Sequence, residues 1–449
     1  MTFREKLMLS CAGILCAACA IVLLRYGTHQ YLIRNLGWDN AWTRTVFADN
    51  ASLQHWSPPR NAAPDEVPID WAAKYPYPPA PPETPRPESR LERAERKFHE
   101  QTHVFASWTN ERFLANRRTA ELLHSYLQIT GWNIAVLNDA SSNNFQYADG
   151  RFSCLMTRRD VRRFVDATSD LAAFCKERGI HFVVFLVPWK FSASSPYNGT
   201  LDFSNANSDA FLAGLRERDV DTIDLRIPIQ EAGFSYDDLF LKTDHHWTLA
   251  TARWAMASVL GPYLNEHCGY QADLSLLDAS RFHDERYPNW LLGSHGIKLT
   301  LSSVRPEDFY LAFPSYPTSF HLSIPSMEID REGDFSIFYD MAQMKPTPYD
   351  AYAYHTYAYG DRSLITVENK KQQNGKHLLL LHDSYGAAAT PFLALTTERL
   401  DSIDPRNFTG SLRTYIERER PDTVVLFYGS IEFNICDLIH YPRHIFDFR

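Results

Sequence analysis

Short apolar runs alternate with amphipathic stretches from about residue 130 onward. Three of these runs, 181–187, 376–381 and 423–427, are each followed by turn-forming residues, and residues 133–137 form a shorter fourth run. A continuous apolar run of this length is typical of a strand whose two faces are both buried. The pattern therefore predicts an α/β fold in which helices cover both faces of a mostly parallel sheet.

Amphipathic stretches predict the helices that cover this sheet. Residues 160–178 repeat apolar side chains at helical spacing, and Gly179 ends the stretch. Thr248 is a suitable N-cap for a helix that runs to residue 260. Residues 411–420 predict a further helix. Residues 270–360 interrupt the alternation because they are rich in Pro, Tyr, Ser and His. We interpret them as an insertion that builds part of a substrate groove.

The N-terminus predicts a membrane anchor. Residues 7–24 carry no charge, whereas Arg4 and Lys6 precede them and Arg25 follows. A run of this length lies between a signal peptide and a full membrane span. We predict that residues 1–27 form a cytoplasmic tip and an uncleaved signal anchor, with a cleaved signal peptide as the alternative. The basic residues would keep the N-terminus in the cytoplasm and place the rest outside it.

Two further regions complete the predicted organisation. Residues 28–88 contain a dense series of prolines, which favours an extended extracytoplasmic spacer. Residues 89–449 form the predicted catalytic domain, which begins with a helix at 89–128 and contains the insertion at about 270–360.

Composition and charge exclude several classes of protein. The 449 residues carry a formal net charge of -9, and they show no basic cluster of the kind that binds nucleic acid. Seven cysteines are present, and the four that lie outside the N-terminal apolar run are scattered singly without a CxxC spacing, which argues against a zinc site of the usual kind. The sequence leaves open whether disulfides form among Cys154, Cys175, Cys268 and Cys436. Aromatic residues make up 14%, which is compatible with stacking on sugars and equally with a large core.

Two separated motifs together contain the parts of a serine catalytic apparatus. Asp244 precedes His246 by two residues, and Ser384 follows the apolar run of a predicted strand. Serine is a weak nucleophile that needs a nearby base, and the base needs a group to orient it and to stabilise its positive form. Ser384 would attack, His246 would carry the proton, and Asp244 would fix the tautomer.

Neighbouring residues receive supporting roles. The adjacent pair His245 and His246 could instead bind a metal ion together with Asp244. Adjacent histidines rarely point to the same ion, so we predict no metal. Trp247 is expected to pack behind the loop. Lys190 would place its charge at the mouth of the site, or it would be a simple strand-end cation.

Several segments, in order, resemble the DHHW protein family and the alginate O-acetylation proteins that contain an SGNH hydrolase-like domain. The resemblance spans roughly residues 130–435. The matching segments are 187–190, 239–248, 292–294, 367–369, 382–386, 391–393, 403–406 and 421–425.

This resemblance implies a three-layer α/β/α SGNH hydrolase-like domain in which Asp and His precede Ser. The D-x-H-W pattern of the alginate-type proteins assigns the base to His246 and makes His245 the variable position. His382 departs from the glycine that usually precedes the Asp-Ser pair.

The predicted oxyanion donors are backbone N–H groups. The amide that follows the nucleophile, that of Tyr385, is the usual donor, and Gly293 or Ser294 could add a second. Asn434 follows the last strand, where SGNH enzymes place an asparagine, although a structural loop role is the alternative.

The predicted function is O-acetyl transfer or acetyl-ester hydrolysis on a cell-surface or exported polysaccharide, through an acyl-enzyme and without a cofactor. The domain would lie outside the bacterial cytoplasm, in a compartment that contains no acetyl-CoA. The resemblance therefore implies a membrane-bound O-acyltransferase partner as the acetyl donor. A non-catalytic polysaccharide-binding or assembly scaffold on the same fold is the alternative, and a metal-dependent hydrolase is a third. The polysaccharide, the acyl group, the oligomeric state and the balance of transfer and hydrolysis stay open.

Overall fold

The structure of the protein, a computed structural model, contains an eight-stranded sheet. The structure describes residues 144–146, 152–195, 198–199, 202–298, 304–344, 352–436 and 443–448. The predicted anchor, spacer, helix at 89–128 and strand at 133–137 lie outside these residues. Within the described ranges, no helix is both long enough and apolar enough to span a membrane.

The strands form three sheets, of which the largest has the order β4-β3-β12-β10-β11-β9-β7-β8. Strands β1 and β2 form a small separate pair, and so do β5 and β6. The strands are β1 (Asn144–Gln146), β2 (Phe152–Cys154), β3 (His181–Val187), β4 (Asp221–Asp224), β5 (Phe282–Leu291), β6 (Glu307–Pro314), β7 (Phe320–Ile324), β8 (Ile329–Gly333), β9 (Ile365–Asn369), β10 (His377–His382), β11 (Arg399–Ile403) and β12 (Thr423–Gly429).

The helices surround this sheet, and short 3-10 turns occur mainly in the insertion. The helices are α1 (Arg162–Lys176), α2 (Ser204–Arg216), α3 (Arg226–Glu231), α4 (Tyr236–Leu239), α5 (Leu249–Ala255), α6 (Gly261–Cys268), α7 (Tyr385–Thr396), α8 (Leu412–Glu419) and α9 (Glu432–Ile435). The 3-10 turns are Leu274–Leu277, Ala279–Arg281, Gly296–Lys298, Pro325–Met327, Phe335–Phe338, Met341–Gln343 and Ala353–Thr356.

The parallel core of the sheet confirms the prediction of a mostly parallel α/β fold. Strands β4, β3, β12, β10 and β11 pair in parallel, whereas β9, β7 and β8 continue the sheet in antiparallel pairs. The apolar runs at 181–187, 376–381 and 423–427 become β3, β10 and β12, and all six residues of β10 are buried. A strand buried on both faces needs apolar side chains at every position, which explains these runs.

Two apolar clusters lie on opposite faces of the sheet, as a three-layer arrangement requires. On β3, Phe182 and Val184 pack in the cluster that includes residues of α1, α2 and α8. The alternate residues Val183 and Phe185 pack in the other cluster, with residues of α5, α6 and α7. Successive side chains of a strand point to opposite faces, so one strand contributes to both clusters.

The helix predicted from Thr248 is longer than expected. The Thr248 hydroxyl accepts from the Thr251 N–H at 3.2 Å and caps α5. After α5 the chain forms a π-helical segment, Met256–Leu260, and then α6. Pro262 lies in the first turn of α6, where its missing N–H removes no hydrogen bond of a regular helix. The change of helix type therefore accommodates a proline that would otherwise have ended the helix.

The insertion at 270–360 is attached to the central sheet. Its first hairpin, β5 and β6, forms a separate two-stranded sheet, whereas β7 pairs with both β8 and β9. The insertion therefore extends the main sheet as well as adding a hairpin. No disulfide joins the four described cysteines, Cys154, Cys175, Cys268 and Cys436, to one another.

A buried cluster of charges packs around Arg406. Its guanidinium donates to both oxygens of Asp404 and to Glu432, and it lies 3.3 Å from Asp361. Three acidic side chains thus share one cation away from water. Burial raises the pKa of Glu432 to about 8, since Arg406 offsets only part of this effect.

We expect Glu432→Gln to flatten the dependence of stability on pH. Glu432 is protonated in the folded protein up to about pH 8, whereas an unfolded glutamate ionises near about pH 4.3. Its contribution is complete below the lower value and is lost as the pH rises toward the higher one. The loss would reach at most about 1.4 kcal/mol per pH unit.

Urea unfolding at several pH values between about 5 and 8 measures this effect. The exposed Glu231→Gln variant is the control and should follow the wild-type curve. Parallel curves for wild type and Glu432→Gln would show that Glu432 ionises normally in the folded protein.

Candidate active site

Ser384 lies at the carboxyl edge of the parallel strands, between β10 and α7. Asp383 fixes this turn because its carboxylate accepts the N–H of Tyr385 at 2.9 Å and that of Gly429 at 2.7 Å. Gly386 allows the helix to begin at once, since a Cβ there would lie 2.3 Å from the His382 ring. The ends of β10 and β12 are thereby joined, and Ser384 stays half-buried at the surface of the junction.

Asp244 and His246 lie in the loop between α4 and α5. A β-bridge between Phe240 and Trp247 closes this loop. Asp244 Oδ1 accepts the backbone N–H of His246 at 2.9 Å and lies 2.7 Å from His246 Nδ1. The D-x-H spacing thus lets one carboxylate oxygen hold both the backbone and the ring of the same histidine.

The structure brings Ser384, His246 and Asp244 into one hydrogen-bonded line. His246 Nε2 lies 2.6 Å from Ser384 Oγ, and its Nδ1 faces Asp244. An ionised carboxylate only accepts hydrogen bonds, so the proton of the neutral ring is on Nδ1 and Nε2 is free to accept. This arrangement can take a proton from Ser384 as the hydroxyl attacks a carbonyl.

The carboxylate of Asp244 is fully buried yet ionised. Burial would raise its pKa, but His246 and His245, together with the hydroxyl of Tyr352, hold the pKa well below its usual range. Its second oxygen, Oδ2, accepts the Ser294 N–H at 2.8 Å and the Tyr352 hydroxyl at 2.6 Å. Both oxygens therefore have two donors each.

Lys190 holds the loop from below and does not reach the mouth of the site. Its buried ammonium donates to the carbonyl oxygens of Phe152, Leu241 and Asp244, each at 2.7 Å. The predicted strand-end cation is thus a buried charge that binds the backbone of the loop.

Glu307 of β6 holds the same loop from the other side. Its carboxylate accepts the N–H groups of Lys242 and Thr243 and the Thr243 hydroxyl. The residue comes from the insertion, so the insertion fixes the backbone that leads into Asp244.

The amides that were predicted as oxyanion donors are engaged elsewhere. The Tyr385 N–H donates to Asp383, the Gly293 N–H to Thr243 Oγ1 at 2.9 Å, and the Ser294 N–H to Asp244 Oδ2. Each amide already stabilises a loop, so the structure does not support these three assignments.

Gly293 nevertheless has a role that only glycine can fill. A Cβ at this position would lie 2.3 Å from the Asp244 side chain. The segment 292–294 can therefore approach the carboxylate closely enough for its amides to donate.

His245 and Trp247 flank His246. His245 Nδ1 lies 2.6 Å from Ser294 Oγ, and its ring packs against His246 with a centroid distance of 3.7 Å and the two planes tilted by 37°. Its carbonyl oxygen accepts the Tyr385 hydroxyl at 2.6 Å. Trp247 is buried and packs against Tyr385, as expected for a residue behind the loop.

Asn434 belongs to a different contact. Its amide donates to the carbonyl and hydroxyl oxygens of Thr157 and accepts from Asn207. Among the described residues it makes no hydrogen bond to Ser384, His246 or Asp244. This placement supports the structural alternative, in which Asn434 ties α9 to the chain before α1.

Sequence reasoning missed Tyr352 and Tyr354, which contact the site from the insertion. Tyr352 reaches Asp244, and the Tyr354 ring stacks on His246. The only sequence signal was the abundance of tyrosine in this region, since nothing local connects residue 352 with residue 244.

A metal ion is the competing use of the same side chains. Donor atoms of Asp244, His245 and His246 lie within 4.8 Å of one another. However, both nitrogens of His246 already face Asp244 and Ser384, and His245 Nδ1 faces Ser294. A shared ion would have to replace these hydrogen bonds, so the arrangement fits proton transfer better than metal binding.

A cleft of about 440 Å³ opens beside the segment that leads into Asp244. Its lining includes Leu241 and Lys242 of the loop and Asp284, Glu307 and Tyr310 of the β5–β6 hairpin. The insertion thus lines a cleft beside the loop. Its use as a substrate groove stays a prediction.

One family model matches part of the chain. Residues 157–279 match the family model of the SGNH hydrolase-like domain of the acetyltransferase AlgX. This segment resembles the AlgX-type domain. The match confirms the resemblance inferred from the motifs, and it includes Asp244 and His246 but ends before Ser384. No curated protein matches the chain.

Solved structures share the fold. PatB1 of Bacillus cereus has 20% sequence identity and a TM-score of 0.55, and the alignment covers 68% of this chain and all of PatB1. The same protein with a sulfonyl adduct gives 19% identity, a TM-score of 0.56 and coverage of 69% and 100%. A DHHW family protein from Eubacterium siraeum has 18% sequence identity and a TM-score of 0.50, and the alignment covers 65% of this chain and 94% of that protein. At such identities the likeness shows the fold alone.

We expect Lys190→Met to destabilise the fold by about 3 kcal/mol, because three carbonyl oxygens around the buried ammonium lose their donor. Methionine keeps the length of the apolar stem. Urea unfolding of the two proteins measures the difference in the free energy of unfolding.

Lys370→Met is the matched control, since Lys370 is exposed and forms a surface ion pair with Glu368 at the end of β9. It should leave the unfolding midpoint at the wild-type value. Equal unfolding midpoints for Lys190→Met and wild type would contradict the role of Lys190 as a loop anchor.

Proposed function

We propose that this protein is a serine O-acyltransferase or esterase that acts on acetyl groups of a cell-surface or exported polysaccharide. The observation that carries the proposal is the 2.6 Å separation of Ser384 Oγ and His246 Nε2, with the other ring nitrogen on the buried carboxylate of Asp244. A scaffold with no chemistry to perform would not need this alignment. The AlgX-type match over residues 157–279 supports acetyl transfer as the reaction class.

The first half of the reaction would load the enzyme. Ser384 Oγ attacks the acetyl carbonyl while its proton passes to His246 Nε2, and Asp244 stabilises the imidazolium that forms. When the tetrahedral intermediate collapses, the bond from carbon to the donor oxygen breaks. His246 returns the proton to that oxygen, which leaves as a hydroxyl and leaves Ser384 acetylated.

The second half would unload it. A sugar hydroxyl gives its proton to His246 Nε2 and attacks the acetyl-serine, whose C–O bond to Ser384 then breaks as Ser384 regains the proton. If water takes the place of the sugar, the product is acetate. Exclusion of water from the acyl-enzyme therefore decides between transfer and hydrolysis.

The N-terminal sequence supports a proposal about location, and the family resemblance supports one about the partner. We propose that residues 1–27 anchor the protein and place residues 89–449 outside the cytoplasm. Acetyl groups would then have to cross the membrane, and a membrane-bound O-acyltransferase would deliver them. The proposal would fail if a fusion that reports topology placed residue 449 in the cytoplasm.

Acetyl release from p-nitrophenyl acetate tests the mechanism in the purified full chain. Ser384→Ala should release p-nitrophenol more slowly than wild type by at least about 10³-fold, because the nucleophile is lost. Ser323→Ala, a half-buried serine of β7, is the control and should retain the wild-type rate. Equal release by wild type and Ser384→Ala would rule out the serine mechanism.

Three further measurements separate the alternatives. Mass spectrometry of the acid-quenched reaction should find one added acetyl group on wild type and none on Ser384→Ala. A sulfonyl fluoride, chosen because PatB1 occurs with a sulfonyl adduct, should label wild type and not Ser384→Ala. Loss of activity on treatment with a chelator, regained with a divalent metal, would favour the metal-dependent alternative.

A further inference from the structure

One short segment of the insertion, residues 352–358, contacts two members of the Ser384–His246–Asp244 line. Tyr352 touches Asp244, Tyr354 touches His246, and the two tyrosines are separated by one residue. The chain reaches this position 106 to 108 residues after the Asp244 loop, so the contacts depend on the folded insertion.

Tyr352 completes the set of hydrogen bonds around Asp244. Its hydroxyl donates to Oδ2 at 2.6 Å and lies 3.3 Å from His246 Nδ1. Burial and the adjacent Asp244 carboxylate raise the pKa of Tyr352 well above its usual range, so the hydroxyl stays a donor. With the Ser294 N–H on the same oxygen, this bond prevents the carboxylate from rotating and keeps Oδ1 on His246.

Tyr354 fixes the plane of the His246 imidazole ring. Its ring lies parallel to the His246 imidazole, with a centroid distance of 3.8 Å and an interplanar angle of 10°. Both rings are buried. The face of an aromatic ring attracts positive charge, so this stack becomes more favourable when His246 takes the Ser384 proton. The Tyr354 hydroxyl has no hydrogen-bond partner among the described residues, so its ring alone accounts for the contact.

The segment is itself held firmly. The Tyr357 hydroxyl donates to the Tyr310 carbonyl at 2.6 Å, and the Ala358 N–H donates to the Phe338 carbonyl at 2.8 Å. The backbone N–H of Asp340 donates to the Thr356 carbonyl. These bonds fix the segment to the rest of the insertion.

We propose that Tyr352 and Tyr354 are positioning residues for the reaction, one acting through Asp244 and the other through His246. The insertion would then be part of the catalytic unit as well as a wall of the substrate cleft. This inference rests on the proposed serine mechanism.

Steady-state kinetics of acetyl release from p-nitrophenyl acetate by the full chain tests Tyr352. Tyr352→Phe should lower kcat by about ten- to a hundredfold with little change in KM, because the lost bond orients Asp244 and does not bind substrate. The His246 Nδ1 proton, which gives a low-field NMR signal in a short bond to a carboxylate, should shift in this variant.

Tyr354 is tested by a pair of variants. Tyr354→Leu should lower kcat by about tenfold, because the ring under the imidazolium is lost. Tyr354→Phe should restore nearly the full rate, since it keeps the ring and removes only the unpaired hydroxyl. A purely space-filling role would give equal rates for the leucine and phenylalanine variants.

Tyr316→Phe is the matched control. It removes a comparably short hydrogen bond, from the Tyr316 hydroxyl to the Leu276 carbonyl at 2.7 Å, in another part of the insertion. It should leave kcat and the NMR signal unchanged.

The two proposals fail in different ways. If Ser384→Ala keeps the wild-type rate, the proposed function is wrong. If Ser384→Ala is inactive but Tyr352→Phe and Tyr354→Leu keep the wild-type kcat, only the positioning role is wrong. A fall in kcat for Tyr316→Phe as large as that for Tyr352→Phe would also overturn it, because a general loosening of the insertion would then explain both.

Discussion

The burial of one carboxylate, that of Asp244, organises the site. An ionised group away from water is stable only when donors surround it. Here the donors come from segments far apart in the chain: the ring and N–H of His246, the N–H of Ser294 and the hydroxyl of Tyr352. Lys190 holds the carbonyl of the same residue. The loop that carries Asp244 and His246 therefore meets two segments of the insertion, the 292–294 turn and the segment that contains Tyr352, because the buried charge needs donors from all three.

This convergence explains what could be read from the sequence. Strands β3, β10 and β12 were predictable because burial on both faces imposes a local apolar pattern. The pair of Asp244 and His246 was also predictable, since two residues of spacing suffice for the contact. Ser384 followed from its place at the end of an apolar strand and from the resemblance in motif order.

The remaining features depend on contacts that leave no local pattern. Ser294 lies 50 residues from Asp244 and Tyr352 lies 108 residues from it. Nothing in either neighbourhood indicates the partner. The assignment of the Tyr385 N–H to an oxyanion hole rested on a general rule about the amide that follows a nucleophile. In this protein the same N–H donates to Asp383, a contact that the rule does not include. The helix beyond Thr248 was underestimated because a π-helical segment accommodates Pro262.

The hydrogen bond from the Tyr385 hydroxyl to the His245 carbonyl joins the residue after the nucleophile to the residue before the base. A fluctuation that withdraws one loop must therefore either break this buried bond or carry the other loop along. Local opening in proteins proceeds through such cooperative units. The amides of the two loops should therefore exchange with solvent together, and the protein should spend little time with Ser384 and His246 apart.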